Sequence, residues 1–240
     1  MTAGSGNDVV QLGNGNNSVS LGNGNDSVTV GNGSNTVTLG NGTDTVQLGY
    51  DILDGLRGYD NNLNYFGFGL DAGANTVSVG NGNDTISIGG AHNTLVLGNG
   101  DDTISLGGGD NTITLGTGMY AITTKPNGYE GGDTVILMAP PVQLTMPFNS
   151  GDRLVFANTG FDLGVDDGKG TATPQQIAAS LFSTNTNGTF ATSADRFAYN
   201  QTTGNLYYDA QGNKPGSTAE LVAHLTNDLH LTAANLYFIS

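Results

Sequence analysis

A nine-residue unit recurs through the first half of the chain, and this short fixed period constrains the fold more than any other feature. Its clearest copy is Leu21–Thr29, LGNGNDSVT, in which two glycines and an acidic residue precede an alternating polar and apolar stretch. That alternation predicts a short strand with Val28 and Val30 on one face. Because a single unit cannot bury these side chains, the units must stack into a solenoid that buries them between facing sheets.

The sixth position of the unit alternates between Asp and Asn along the chain. Five turn residues and four strand residues return the chain to the opposite side, so two units complete one coil. Units eighteen residues apart are then stacked neighbours, and the sequence predicts two distinct edges. The Asp edge consists of Asp8, Asp26, Asp44, Asp84 and Asp102. The Asn edge consists of Asn17, Asn35, Asn75, Asn93 and Asn111.

The two edges differ in the chemistry that they offer. Carboxylates from adjacent coils, together with carbonyls of the glycine turns, form an all-oxygen site of about six ligands, which suits Ca²⁺. The Asn side chains can both donate and accept, so they predict a lateral ladder that needs no ion. The alternative is that the Asp residues are simply tolerated in the turns of a metal-free β-helix. Asp101 and Asp110 fall one position early and are interpreted as solvated turn residues.

Charge and composition narrow the classes of partner. A formal net charge of −15 disfavours binding to nucleic acid or to an anionic membrane surface and favours cations. The chain contains no cysteine, so it has neither a disulfide framework nor a thiolate metal site. No apolar run approaches the roughly 18 residues of a transmembrane segment, and no N-terminal signal peptide is recognisable. These features predict an extracellular protein exported by another route.

The units resemble the nonapeptide repeats of the RTX (repeats-in-toxin) calcium-binding family, whose consensus is G-G-x-G-x-D-x-U-x with U aliphatic. The resemblance implies a parallel β-roll that binds calcium through Asp and backbone carbonyls, with about four Ca²⁺ on the Asp edge. Two departures are visible: the first position is usually Leu or Val, and alternate units carry Asn for Asp. The ligands that it implies are Asp8, Asp26, Asp44, Asp84 and Asp102, with Gly4, Gly6, Gly22, Gly24, Gly40, Gly42, Gly80, Gly82, Gly98 and Gly100.

An insertion at about residues 48–69 interrupts the repeats without changing their phase. The insertion should therefore loop out from the Asn edge and leave Asp44 and Asp84 as stacked neighbours. It is rich in aromatic residues, which either fold back as a lid over one sheet or form a contact patch for another molecule. These candidate contact residues are Tyr50, Tyr59, Tyr65, Phe66 and Phe68.

The composition changes after the repeats, which predicts a β-roll over residues 3–136 and a mostly β capping and secretion region over residues 137–240. Residues 138–148 predict edge strands or a crossing segment, and residues 173–181 predict the one short helix. Residues 196–208 predict a hairpin, and residues 221–225 and 236–239 predict strands. The repeat pattern recurs once more around Asp133, but the preceding insertion argues against a site shared with Asp102. The fold class is thus all-β.

The second half also resembles the C-terminal segments of RTX proteins, which cap the roll and carry an uncleaved signal for type I secretion. This resemblance rests on one run of residues, and Gln211 replaces an acidic residue within it, so no calcium site is predicted there. The run consists of Tyr199, Gly204, Leu206, Tyr207, Tyr208, Asp209, Ala210 and Gly212.

The sequence predicts a structural protein and not an enzyme. His92, His224 and His230 have no metal-ligand spacing, and no nucleophile or phosphate-binding motif accompanies them. The leading hypothesis is a secreted calcium-binding protein of the cell surface or extracellular matrix (surface-layer, biofilm or adhesive). It would be exported by the type I secretion machinery, folded by calcium outside the cell, and self-associate as a homo-oligomer or polymer. The alternative is the calcium-folded C-terminal secretion module of a larger RTX hydrolase or toxin.

Overall fold

The computed structural model describes residues 1–49, 73–89, 92–124, 131–164, 173–226 and 231–240. The chain divides into an N-terminal unit, residues 1–112 and 123–131, and a C-terminal unit, residues 113–122 and 132–240. The predicted boundary near residue 136 stays a prediction. No helix among the described residues is long and apolar enough to cross a membrane.

The N-terminal unit is a parallel β-roll built from short strands, as the nine-residue period predicts. Odd-numbered strands pair in the order β1-β3-β5-β7-β9, and even-numbered strands pair in the order β2-β4-β6-β8. These strands are β1 (Val9–Leu12), β2 (Ser18–Ser20), β3 (Ser27–Val30), β4 (Thr36–Thr38), β5 (Thr45–Leu48), β6 (Thr76–Ser78), β7 (Thr85–Ile88), β8 (Thr94–Leu97) and β9 (Gly100–Leu106).

The strand register confirms that two nine-residue units form one coil. Val10 pairs with Val28, and Val28 pairs in turn with Val46, each step spanning eighteen residues. The register passes across the insertion unchanged, because Val46 pairs with Ile86. Residues 50–72, which include most of the insertion and all five predicted aromatic contacts, lie outside the described residues.

The core of the roll consists of the aliphatic positions that the alternation predicts. Val28, Val46 and Ile86 are each about 1 % exposed, and their neighbours two residues later are equally buried. Burial of one such side chain contributes about 1.5–3 kcal/mol, so the stack stabilises coils that a single unit could not hold. The outward-facing positions of the same strands are Thr, Ser and Gln, and these side chains are exposed or half-buried.

The C-terminal unit contains two sheets, with strand orders β11-β13-β19-β18-β17-β16 and β10-β12-β14-β20-β15. Its strands are β10 (Thr112–Leu115), β11 (Gly118–Thr124), β12 (Thr134–Leu137), β13 (Val142–Met146), β14 (Arg153–Ala157), β15 (Gln175–Gln176), β16 (Phe182–Asn185), β17 (Phe197–Asn200), β18 (Asn205–Tyr208), β19 (Glu220–Leu225) and β20 (Leu236–Ile239). The first residue of β10 and the last two of β11 belong to the N-terminal unit.

Aromatic side chains form much of the core of the C-terminal unit. Phe156 lies between Phe161 and Phe197, with ring centroids 5.1 and 4.3 Å away. Tyr208 contacts the same two phenylalanines from the other side. The core of this unit thus uses aromatic ring contacts, whereas the core of the roll uses repeated aliphatic pairs.

Several sequence predictions for this unit are confirmed and two are corrected. Residues 196–208 form the antiparallel hairpin of β17 and β18, and the predicted strands at 221–225 and 236–239 are β19 and β20. The predicted helix over residues 173–181 is wrong: β15 occupies its start, and only Ala179–Leu181 form a 3₁₀ turn. Residues 138–148 contain β13, which lies between β11 and β19 and is therefore not an edge strand.

Candidate calcium-binding edge

The Asp side chains of the N-terminal unit form a continuous ladder along one edge of the roll. In each step, a backbone N–H of one Asp donates to Oδ1 of the Asp in the next coil. The four N···O distances lie between 2.7 and 2.9 Å. The step from Asp44 to Asp84 crosses the insertion, which confirms the predicted stacking of these two residues. One carboxylate oxygen of each stacked Asp is thus fixed by the fold.

The second carboxylate oxygen is buried and has no hydrogen-bond partner. This holds for Oδ2 of Asp26, Asp44, Asp84 and Asp102, whose side chains are only 1–3 % exposed. Burial of an unsatisfied polar atom costs about 1–3 kcal/mol, and more for a charged group. Four such atoms at the same position of successive coils are therefore a repeated feature that a cation would satisfy.

Burial, with repulsion from neighbouring carboxylates, raises the pKa of three carboxyl groups of this edge. Desolvation raises the pKa of Asp84 to about 6, and repulsion from Asp102 and Asp44 adds to the effect. Desolvation likewise raises the pKa of Asp102 to about 6, with a further contribution from the neighbouring Asp101. The pKa of Asp44 is raised by the same burial and by the charge of Asp26. In each case the backbone N–H donor opposes the rise without cancelling it.

Lysine and arginine are absent from the described residues of the roll. Arg57 is the single lysine or arginine in the first 124 residues, and it lies outside the described residues. The carboxylates of the Asp edge therefore have no lysine or arginine partner among the described residues of the roll. An external cation would neutralise them without protonation, and oxygen ligands of this type favour Ca²⁺.

Glycines shape the turns beside the Asp edge and bring backbone carbonyls close together. Gly82 has φ +149°, and a Cβ at this position would overlap the carbonyl oxygen of Gly42 in the adjacent coil. Gly24 has φ +147°, and a Cβ there would overlap the carbonyl oxygen of Gly6. The turns thus stack glycine on glycine, which leaves room for carbonyl oxygens around each carboxylate pair.

The predicted donor set at each step is two carboxylates with glycine carbonyls. No group of three or more His, Cys, Asp or Glu side chains with metal-binding geometry occurs within the described ranges. The Asp edge does not need such a group, because backbone carbonyls are ordinary Ca²⁺ ligands. The residues present therefore fit calcium, whereas they do not fit a thiolate or imidazole metal.

The other predicted ligands lie where the repeat places them. Asp8 is half-buried at the first position of the ladder and donates its N–H to Asp26. The assignment of individual glycine carbonyls as ligands, including those of Gly4, Gly6, Gly98 and Gly100, stays a prediction.

Sequence reasoning missed two features of the turns. Asp152 accepts the N–H of Asp133 at 2.8 Å, so Asp133 belongs to a pair within the C-terminal unit. The short signal Gly151-Asp152 before a strand could have shown this. Exposed Asn side chains also link successive coils: Asn23 accepts the N–H of Asn41, and Asn7 accepts that of Asn25.

The histidines form no reactive group in the described part of the chain. His92 lies in a turn with φ +61°, and Nδ1 of His224 is hydrogen-bonded to Oδ1 of Asn205 in the neighbouring strand. His230 lies outside the described residues. The expectation of a non-enzyme stays a prediction, and it rests on the structural character of the repeat.

Comparison with known families identifies the repeat. Four copies of a family model, the RTX calcium-binding nonapeptide repeat, match residues 1–28, 13–46, 71–87 and 87–118. A search of curated proteins found no match. RTX repeats indicate Ca²⁺ binding, and proteins that contain them are generally secreted. Residues 1–46 and 71–118 of this chain therefore belong to the RTX calcium-binding nonapeptide repeats, and the described residues among them fold as a parallel β-roll.

Proposed function

We propose that this chain is a secreted structural protein that binds four Ca²⁺ along its Asp edge. One ion would lie between each pair of successive carboxylates, with glycine carbonyls of the two turns completing its coordination. The observation that carries this proposal is the row of four buried Oδ2 atoms without hydrogen-bond partners. The carboxylate pairs are Asp8 with Asp26, Asp26 with Asp44, Asp44 with Asp84, and Asp84 with Asp102.

Calcium binding would be coupled to folding of the roll. At the low free calcium of a cytosol, the net charge of −15 and the buried carboxylates favour an expanded chain, which suits passage through a type I transporter. Outside the cell, calcium would neutralise the Asp edge and stabilise the stacked coils. We propose a role at the cell surface or in the extracellular matrix, as part of a surface layer, a biofilm or an adhesive structure.

Two neighbouring substitutions test the edge directly. Asp26 contributes to two of the proposed sites, whereas Asp8 contributes to one. Isothermal titration calorimetry should therefore show a loss of two ions in Asp26→Asn and of one ion in Asp8→Asn. Asp110→Asn removes the same charge from an exposed turn and should keep all four ions. Equal losses in the two edge variants would contradict binding between adjacent coils.

The assembly state distinguishes the proposed role from the secretion-module alternative. Both share the calcium-dependent contraction, but the structural role requires growth into larger, chelator-reversible particles. Dynamic light scattering during a calcium titration separates these outcomes. Contraction to a compact monomer would favour the calcium-folded module of a larger hydrolase or toxin, and an unchanged size would contradict the calcium mechanism itself.

A further inference from the structure

The Asn edge repeats the backbone geometry of the Asp edge with a different terminal atom. Oδ1 of Asn35 accepts the N–H of Asn17 at 3.1 Å, just as Oδ1 of Asp26 accepts the N–H of Asp8 at 2.9 Å. The same arrangement continues through Asn75, Asn93 and Asn111. The two edges therefore hold their side chains in equivalent positions. They differ in the second terminal atom of the side chain, which is Oδ2 in Asp and Nδ2 in Asn.

The Nδ2 atoms lie among oxygen atoms. Nδ2 of Asn17 donates to the carbonyl oxygens of Gly13 and Gly15, at 3.0 and 2.9 Å. It also lies 3.1 Å from Oδ1 of Asn35 in the next coil.

The next step of the ladder has the same surroundings. Nδ2 of Asn35 lies 3.1 Å from the carbonyl oxygens of both Gly31 and Gly33, and 3.2 Å from Oδ1 of Asn75. Nδ2 of Asn93 and of Asn111 also donate to glycine carbonyls of their own turns. The amides of Asn17 and Asn35 thus each sit among two carbonyls and one side-chain oxygen of the adjacent coil, which is the oxygen environment that a cation would take between coils.

We propose that on the Asn edge the side-chain amide takes the place of the calcium ion, so that this edge is a metal-independent spine of the roll. The choice between Asp and Asn at one position of the unit then decides whether a coil junction needs calcium. Asn35 is 1 % exposed and its amide is fully engaged, so its polar atoms are satisfied without an ion. The inference deepens the proposed function, because it rests on calcium binding at the Asp edge.

The two edges of the roll would therefore differ in their need for calcium. The Asn edge would contribute the same stability to the coils with and without calcium, while the Asp edge would stabilise them only when calcium is bound. A roll with carboxylates on both edges would have twice the calcium requirement and no metal-free anchor. The alternation in the sequence thus limits the calcium dependence to one side of each coil.

Conversion of one Asn-edge junction into an Asp-edge junction tests this inference. In the full chain, Asn17→Asp with Asn35→Asp removes the amides and creates a carboxylate pair like that of Asp8 and Asp26. Calorimetric titration with CaCl₂ should show one additional Ca²⁺ per chain. The Tm measured with excess chelator should fall, and saturating calcium should restore it.

A matched control comes from the same turns. Asn14→Asp with Asn16→Asp introduces the same two charges at exposed positions whose Oδ1 atoms also accept N–H groups of the next coil. The control should gain no ion. If the Asn17/Asn35 variant gains no more calcium than this control while the wild-type chain binds calcium, the proposal is overturned.

A second variant decides the question even if the double variant does not fold. Asn35→Ala removes one amide, and it should lower the Tm by the same amount with chelator and with calcium, at unchanged calcium stoichiometry. Loss of a bound ion in Asn35→Ala would show that the Asn edge binds metal and would overturn the proposal. If the wild-type chain binds no calcium, the proposed function fails, whereas an equal Tm loss in Asn35→Ala would still support the amide spine.

Discussion

Asp44→Asn should change the stability of the roll in opposite directions with and without calcium. Asp44 is 1 % exposed, its Oδ1 accepts the N–H of Asp26, and its Oδ2 has no partner. An asparagine keeps the first hydrogen bond. It replaces the unpaired oxygen with an N–H donor, which on the Asn edge finds glycine carbonyls at about 3 Å.

The gain in stability without calcium comes from removing the cost of the buried, unpaired Oδ2 of Asp44. Relief of one buried unsatisfied polar atom is worth about 1–3 kcal/mol, and the loss of repulsion from Asp26 and Asp84 acts in the same direction. For a unit of this size, such a gain corresponds to an increase of roughly 5–10 °C in Tm. Asp44→Asn should therefore be more stable than the wild-type chain in excess chelator.

In calcium, the substitution should lower the stability of the roll. Asp44 faces two proposed sites, and each site occupied at a hundred times its Kd stabilises the folded state by about 2.7 kcal/mol. Loss of both sites removes about 5 kcal/mol, which outweighs the gain from the amide. In saturating calcium the variant should be less stable by about 2–4 kcal/mol.

Differential scanning calorimetry in chelator and in calcium measures both effects on the same protein. Asp110→Asn, which removes the same charge from an exposed turn, should shift the two Tm values little and in the same direction. Destabilisation of Asp44→Asn in chelator would contradict the presence of an unsatisfied carboxylate oxygen, because it would show that the carboxylate is satisfied without a cation. An equal shift in both conditions would refute the assignment of Asp44 to a calcium site.

Two further predictions concern the turns and the pH dependence. Gly82→Ala should prevent folding of the roll even in calcium, because its Cβ would overlap the carbonyl of Gly42. Circular dichroism should show this as a loss of β signal. Gly13→Ala, where a Cβ meets open space, should fold, and equal behaviour of the two variants would contradict the glycine stack. Since the pKa values of Asp84 and Asp102 rise from 3.8 to about 6 in the calcium-free fold, the folded state binds protons more tightly than the unfolded chain. The contribution of these two carboxylates to calcium-free stability should therefore be highest below about pH 4 and fall by up to about 3 kcal/mol per carboxylate as the pH rises through 6. Urea titrations of the wild-type chain beside Asp84→Asn measure this contribution, and a wild-type chain that gains stability relative to the variant over this range would contradict the burial of Asp84.

The repeat made most of the roll predictable from sequence. The period fixed the eighteen-residue stacking, and the alternation within S-V-T-V placed Val28 and Val30 in the core. The phase of Asp44 and Asp84 across the insertion was also predictable, because an unchanged register requires the same face to return. In such a solenoid each coil contacts only its neighbours, so local patterns decide the fold.

The C-terminal unit was less predictable because its strands pair over long sequence distances. Thr173-Pro174 and the following residues have the features of a helix start, yet Gln175 and Gln176 pair with β20 and the helix does not form. The position of β13 beside β19 depends on residues nearly eighty positions away, which no local pattern encodes. Tertiary pairing overrides local propensity in this part of the chain.

The atoms that distinguish the two edges of the roll could not be read from the sequence. Asp and Asn both accept a backbone N–H through Oδ1, so the sequence shows only that the residue alternates. The structure adds that the remaining oxygen of Asp is buried without a partner, whereas the remaining nitrogen of Asn is surrounded by oxygen atoms. This difference carries both the proposed calcium sites and the proposed metal-free spine.

The number of calcium ions bound at saturation is the most direct test of calcium binding between adjacent coils. Equilibrium dialysis of the full chain against calcium, followed by atomic emission analysis, gives this number without reference to folding or assembly. We expect four Ca²⁺ per chain, one for each junction between successive carboxylates of the Asp edge. About twice that number would show that the Asn edge also binds metal, and no bound calcium would contradict the account of the Asp edge.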